Sequence, residues 1–190
     1  MLTQLRAALA SFALLTLLTG VAYPLLVTGV AKAAFPSQAE GSLITVKGEV
    51  VGSRLLGQPF EDPKHFWGRL SATSPYPYNA GSSSPSNLGP TNPALLDAAK
   101  ARVKALSEAD PSNTAAIPVD LVTGSGSGLD PEISPAAAYY QVARVARARG
   151  VPAPSVQKLV DEAVLGPMAS VLGEPRVNVM LLNLALDEAK

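Results

Sequence analysis

The sequence predicts an α+β extracytoplasmic domain carried on one N-terminal transmembrane helix. Three observations predict it. No charged residue lies between Arg6 and Lys32, and the stretch 7–31, at about 1.5 Å per residue, is longer as a helix than the ~30 Å hydrocarbon core of a bilayer. Short runs rich in Val, Ile and Leu, bounded by glycines, have the composition of strands. Between them, Asn92-Pro93 and Ser134-Pro135 each place a capping side chain and a first-turn proline ahead of residues with helical spacing.

Composition excludes several functions. A chain of 190 residues has room for one core besides the anchor. Lys plus Arg and Asp plus Glu number 15 each, so no global field draws the protein to nucleic acid. Without cysteine there is no disulfide framework, thiolate nucleophile or cysteine-linked lipid anchor. The single histidine, His65, rules out a His-rich metal site, and any His-dependent triad would have to converge on it. No catalytic residue and no metal ligand set is assigned.

The elements follow in order. Residues 1–6 are expected as a short cytoplasmic tail and 7–31 as the membrane helix. The rival is a cleaved signal peptide, because Ala31-Lys32-Ala33 fits a small-x-small cleavage pattern. The apolar run exceeds the usual ~7–15 residues of such a peptide, which favours the retained anchor. Basic residues flank both ends, so orientation rests on the short, acid-free N-terminus, which suits an N-in anchor exporting residues 33–190 as one domain. Within that domain, 43–47 and 49–56 read as two strands around Gly48, and 71–93 as a long Ser, Pro, Gly, Asn and Tyr loop of functional character. A helix capped by Asn92 carries Leu95, Leu96, Ala99, Val103 and Leu106 on one stripe and ends before Pro111. Val119–Thr123 reads as a strand, Ser134–Ala148 as a helix stopped at Gly150, Ser155–Leu165 as a short helix capped by Ser155, and Val177, Val179 and Leu181 as a final strand.

Several groups are candidates for function. The run Gly124, Ser125, Gly126, Ser127, Gly128 invites comparison with a phosphate cradle, and a membrane-anchored or secreted nucleotide-binding enzyme is the alternative it supports. No Gly-Lys-Ser/Thr follows it, and six residues separate it from the helix opening at Ser134, so a tight turn is the better reading. Asp130 and Glu132 read as a helix-entry feature, and Arg144, Arg147 and Arg149 as a cluster favoured by a helix C-terminus. Tyr76 and Tyr78 are either partner-facing anchors or packed on their own domain. Asn87 and Asn92, with Pro90, Pro93 and Gly89, make 86–93 a stiff loop suited to recognition. In the anchor, Thr16, Gly20, Pro24 and Thr28 recur every fourth residue, a small-residue face against which another helix can pack.

Four separated motifs add a resemblance. Gly52-Ser53-Arg54-Leu55-Leu56-Gly57-Gln58-Pro59-Phe60, Ser86-Asn87-Leu88-Gly89-Pro90-Thr91-Asn92-Pro93, Pro118 to Pro131 and Gly173-Glu174-Pro175-Arg176-Val177-Asn178-Val179 occur in this order. Together they closely resemble the KdpC family, whose members belong to the Kdp potassium-transporting ATPase. The resemblance implies a non-catalytic accessory subunit of an ATP-driven K⁺ uptake complex in the bacterial inner membrane. Its implied partners are a channel-like subunit that selects the ion, a P-type ATPase subunit and a small membrane subunit, which together handle K⁺, ATP and Mg. It also implies a catalytic-chaperone role that raises the ATP affinity of the ATPase subunit, with Gly124 to Gly128 and Gln141 as the nucleotide-contacting residues. An exported domain lies on the side of the bilayer without ATP, so indirect coupling through the membrane helix is the expected route.

Overall fold

The computed structural model describes residues 2–189. The chain divides into two compact units, Met1–Ser53 and Arg54–Lys190. In the first, α1 (Leu2–Leu17) passes through a π-helical turn (Leu18–Ala22) into α2 (Tyr23–Ala34). The span Thr3–Ala34 is 32 residues long, apolar enough to cross a membrane, and none of its most apolar stretch is buried within the protein. Phe12, Leu14 and Leu25 are 71%, 67% and 67% exposed, and a helix this apolar on all sides needs lipid or other helices around it.

The π turn answers to Pro24. Proline has no N–H for the Gly20 carbonyl four residues back, and its ring crowds that carbonyl. The backbone widens instead, and the Tyr23 N–H donates to the Leu18 carbonyl, five residues away. After α3 (Pro36–Ala39), β1 (Leu43–Val46) and β2 (Glu49–Ser53) form an antiparallel hairpin. Lys47 and Gly48 hold φ of 51° and 87°, the left-handed pair that a two-residue hairpin turn requires. The Ser53 hydroxyl donates to the Gly41 carbonyl at 2.6 Å, tying the hairpin to the turn before it. This local closure accompanies the grouping of the hairpin with the anchor in the first unit.

The second unit contains α4 (Pro93–Ala109), α5 (Pro135–Arg149), α6 (Ala153–Ala163) and α7 (Val179–Glu188). Its antiparallel sheet has the order β3–β5–β4, from Glu132–Ile133, Arg176–Asn178 and Val164–Leu165. Asn92 caps α4 through the Ala94 N–H, Ser134 caps α5 through the Ala137 N–H, and Gly150 ends α5 at φ 68°. Leu106, Val145, Val156, Val160, Val177 and Leu182 form the centre of the core, together with Phe66 and Trp67.

Three expected elements differ. Val119–Leu121 is a 3₁₀ turn, not a strand. Val119 is 70% exposed, and the Asp120 carboxylate accepts from the Ser134 N–H at 2.7 Å, so the segment folds onto the start of α5. Ser155 does not cap α6, which begins two residues earlier after Pro152, while Val164 and Leu165 leave the helix to pair with β5. The final strand stops at Asn178, whose side chain accepts from the Leu181 N–H and starts α7. Val179, Met180, Leu182, Asn183 and Leu186 are then buried with helical spacing.

Candidate functional site

The centre of the second unit is an irregular strap, Asp62–Arg69, held by side chains rather than by a sheet. Gln141 on α5 accepts from the Trp67 N–H at 2.8 Å and donates to the Trp67 carbonyl at 3.1 Å. Asn183 on α7 treats Phe66 in the same way, accepting at 2.8 Å and donating at 3.0 Å. Two amides thus stand where neighbouring strands would, and the buried backbone groups are satisfied. Arg144 donates to the carbonyls of Pro63 and His65, Arg149 to that of Lys64, and Arg102 on α4 to that of Gly68. Tyr78 donates to the Arg69 carbonyl at 2.6 Å.

Two guanidinium groups lie over the Trp67 ring, Arg144 at 4.5 Å and Arg102 at 5.0 Å. Arg144 is only 3% exposed. Burial, then the nearby Arg102 charge, lowers its pKa to about 10, and the same burial lowers that of Arg102. Carbonyl oxygens and the indole face offset this desolvation. The α5 arginines therefore do not act as one cluster at a helix end. Arg144 is an internal clamp, Arg147 pairs with buried Asp110 at 2.9 Å, and Arg149 pairs with Asp187.

The glycine run is packed by the long loop. The Ser125 N–H donates to the Leu70 carbonyl, the Gly128 N–H to the Ser125 hydroxyl, and the Ser71 hydroxyl to the Gly128 carbonyl at 2.6 Å. Ser84 N–H and the Ser83 hydroxyl both donate to the Ser127 carbonyl. Gly128 sits at φ 68°, and a Cβ there would lie 2.6 Å from Thr73 Cγ2 and 2.8 Å from the Ser84 carbonyl oxygen. Gly124 and Ser127 carbonyls thus serve the fold, and Gly126 alone of the three run glycines has open space beside it. A cleft of about 200 Å³ nearby has Arg69, Arg102 and Tyr78 in its wall. Arg69 is engaged by Asp130 at 3.0 Å and by the Gly124 carbonyl, and Arg102 by the carbonyls of Gly68 and Leu121. Asp130 and Glu132 are ion-pair partners, of Arg69 and Arg176, and not a helix-entry pair.

The other candidates fall into place individually. Tyr78 is turned inward, over Gly57, where a Cβ would lie 2.3 Å from its ring. Burial pushes its pKa up to about 12. Tyr76 is 58% exposed. Asn87 is exposed with φ 53°, a conformation asparagine tolerates, while Asn92 is engaged as the α4 cap. Thr16, Gly20, Pro24 and Thr28 are all exposed. On a regular α-helix a four-residue spacing drifts by about 40° per step, and the wider π turn containing Gly20 takes part of that drift back.

Sequence reasoning missed the strap and its holders Arg102, Arg144 and Asn183. One signal was available: Gln141 and Arg144 are three apart and share the helical face of Ala137, Ala138 and Val145, so polar groups fall on a buried stripe.

The family model described as K⁺-transporting ATPase, c chain (KdpC) matches residues 5–188. A potassium-transporting ATPase KdpC subunit of Variovorax paradoxus (strain S110) is 66% identical over 183 residues, which cover 96% of this chain and 95% of that relative. The KdpC subunit of Ralstonia nicotianae is 64% identical over 186 residues, covering 98% and 91%. That of Sorangium cellulosum (strain So ce56) is 62% identical over 190 residues, covering both chains completely.

Proposed function

The chain belongs to the KdpC family of K⁺-transporting ATPases, and from that premise we propose that it is a membrane-anchored accessory subunit supporting assembly and activity of an ATP-driven potassium uptake complex. The observation that carries this reading is the whole-length similarity combined with the unburied apolar helix Thr3–Ala34. The helix keeps the subunit in the inner membrane beside the ion-translocating and ATP-hydrolysing subunits, and the unit from Arg54 onward works outside the cytoplasm.

Raising the ATP affinity of the P-type ATPase subunit is then an indirect effect, passed through the membrane helix. Two placements support the indirect route. Gln141 is 1% exposed with its amide bonded to Trp67, and Gly128 is covered by Thr73 and Ser84. Direct nucleotide contact by either residue would first require the strap or the long loop to come away.

A C-terminal affinity tag on the full chain tests the proposal. The channel-like, ATPase and small membrane subunits should co-purify from membranes, and deletion of the chain should abolish growth at low external K⁺. Recovery of the tagged chain without those subunits would overturn it. Protease added to spheroplasts should degrade residues beyond Lys32; protection there would reverse the orientation.

A further inference from the structure

Two arginines at the centre of the second unit have no carboxylate partner. Arg102 and Arg144 both lie over the Trp67 ring and donate to backbone carbonyls, and neither forms an ion pair among the described residues. A guanidinium withdrawn from water without a counter-charge is costly, and carbonyl dipoles offset only part of that cost. Burial lowers the pKa of Arg102, with Tyr78 and Glu61 opposing the shift, so its charged form gains from an anion placed beside it.

Arg102 and Arg69 both line the cleft of about 200 Å³ described above. Each brings a spare donor. Arg102 gives Nε to the Leu121 carbonyl and Nη2 to that of Gly68, which leaves Nη1. Arg69 gives Nη1 to Asp130 and Nη2 to the Gly124 carbonyl, while its buried Nε has no acceptor among the described residues. A buried N–H of this kind calls for a partner. The rest of the wall narrows the choice. Pro59 and Pro77 bring no backbone N–H, whereas phosphate sites are built from runs of such donors, and Phe60 and Leu70 offer apolar contact instead. The cleft also falls short of the roughly 300–1,000 Å³ of pockets that take drug-sized ligands, so a nucleotide does not fit.

We infer that this cleft binds a single carboxylate group, which accepts from Arg69 Nε and Arg102 Nη1 and lays its carbon stem on Phe60 and Leu70. The two oxygens of a carboxylate suit two separate N–H donors, and hydrogen bonds between ionised groups are the strong ones. Glu61 is the one acid in the wall. It is exposed and forms no ion pair among the described residues, so it opposes an incoming anion without taking its place. The carboxylate has two sources, a free small acid or an Asp or Glu side chain of a neighbouring subunit. Only the second rests on the accessory-subunit reading.

Propionate is the probe. Titrated against the full chain in detergent, with ionic strength held constant by chloride, it should raise the melting temperature in a saturable way. Glu61→Gln, at an exposed position, should lower the half-saturating concentration several-fold. Arg69→Lys keeps the charge and removes Nε, and should raise that concentration about tenfold, the loss of one hydrogen bond to a charged group. Lys104→Gln, an exposed cation on the same helix as Arg102, should leave it unchanged. No shift, a shift that does not saturate, or the same response in the parent and Glu61→Gln would overturn the inference; this last comparison decides alone if Arg69→Lys fails to fold. Repeating the titration on the assembled complex separates the sources. A saturable response kept there assigns the site to a free acid, and one seen in the chain but lost in the complex assigns it to an acidic side chain of a neighbouring subunit. Failure of the chain to recover other subunits would remove the second source and leave the site itself standing.

Discussion

Gln141 and Trp67 exchange two hydrogen bonds, the side-chain amide of one with both backbone groups of the other. Gln141 also accepts from Arg144 at 2.6 Å. Gln141→Ala therefore leaves the Trp67 N–H, its carbonyl and one guanidinium N–H short of a partner in a buried setting. Each orphaned group costs about 1–3 kcal/mol, so the variant should lose at least ~3 kcal/mol of stability, read by urea denaturation of the full chain in detergent. Unchanged stability with a weakened ATP response of the complex would instead show Gln141 acting on nucleotide.

The three run glycines separate a turn from a phosphate cradle. Gly128→Ala forces a side chain onto Thr73 and Ser84 at positive φ and should cost about 2–4 kcal/mol. Gly126→Ala meets nothing within 4 Å and should stay within about 0.5 kcal/mol of the parent, with normal transport. Loss of transport in a stable Gly126→Ala protein would revive direct ligand binding at this loop.

Tyr78 predicts a pH dependence. Its folded pKa of about 12 lies above the ordinary 10, so the folded state keeps the phenol proton longer than the unfolded chain. Stability from this group is full below pH 10 and is lost as pH rises toward 12, by about 2–3 kcal/mol. Arg144, lowered from 12.5 to about 10, works in the opposite direction over the overlapping window, but it is common to the parent and to Tyr78→Phe. The stability difference between those two proteins should thus shrink from pH 9 to 11.5 in urea titrations. A constant difference would mean that Tyr78 ionises freely in the fold.

In the membrane helix, Gly20→Leu places a bulky side chain on the face of Thr16, Pro24 and Thr28, where nothing in this chain lies within 4 Å of a Cβ at Gly20. Co-purification with the other subunits should fall several-fold, whereas Leu17→Ile should leave it unchanged. Normal assembly of Gly20→Leu would move the contact to another face.

The long loop divides by residue. Asn92→Ala removes the α4 cap and should cost about 1 kcal/mol. Tyr76→Ala, at an exposed position, should leave the melting temperature alone and weaken recovery of the complex. A stability loss for Tyr76→Ala equal to that for Asn92→Ala would make this stretch of the loop structural.

What the sequence determined by itself was whatever depends on neighbours along the chain. The uncharged run before Lys32, the Asn92-Pro93 and Ser134-Pro135 helix starts, the Gly150 stop and the break at Gly48 between two strands each rest on residues within a few positions of one another. The family resemblance was equally legible, because its motifs are linear. Only tertiary structure decided the strap: Trp67 meets Gln141 across 74 positions and Phe66 meets Asn183 across 117. It also decided that Val119–Leu121 turns toward Ser134, that the final strand gives way to α7 at Val179, and that the glycine run is filled by Thr73 and Ser84. Local spacing states which face a side chain takes on its own element, but which distant backbone group lacks a partner is fixed only when the elements pack. There the penalty for an unmet buried hydrogen bond outweighs local preference.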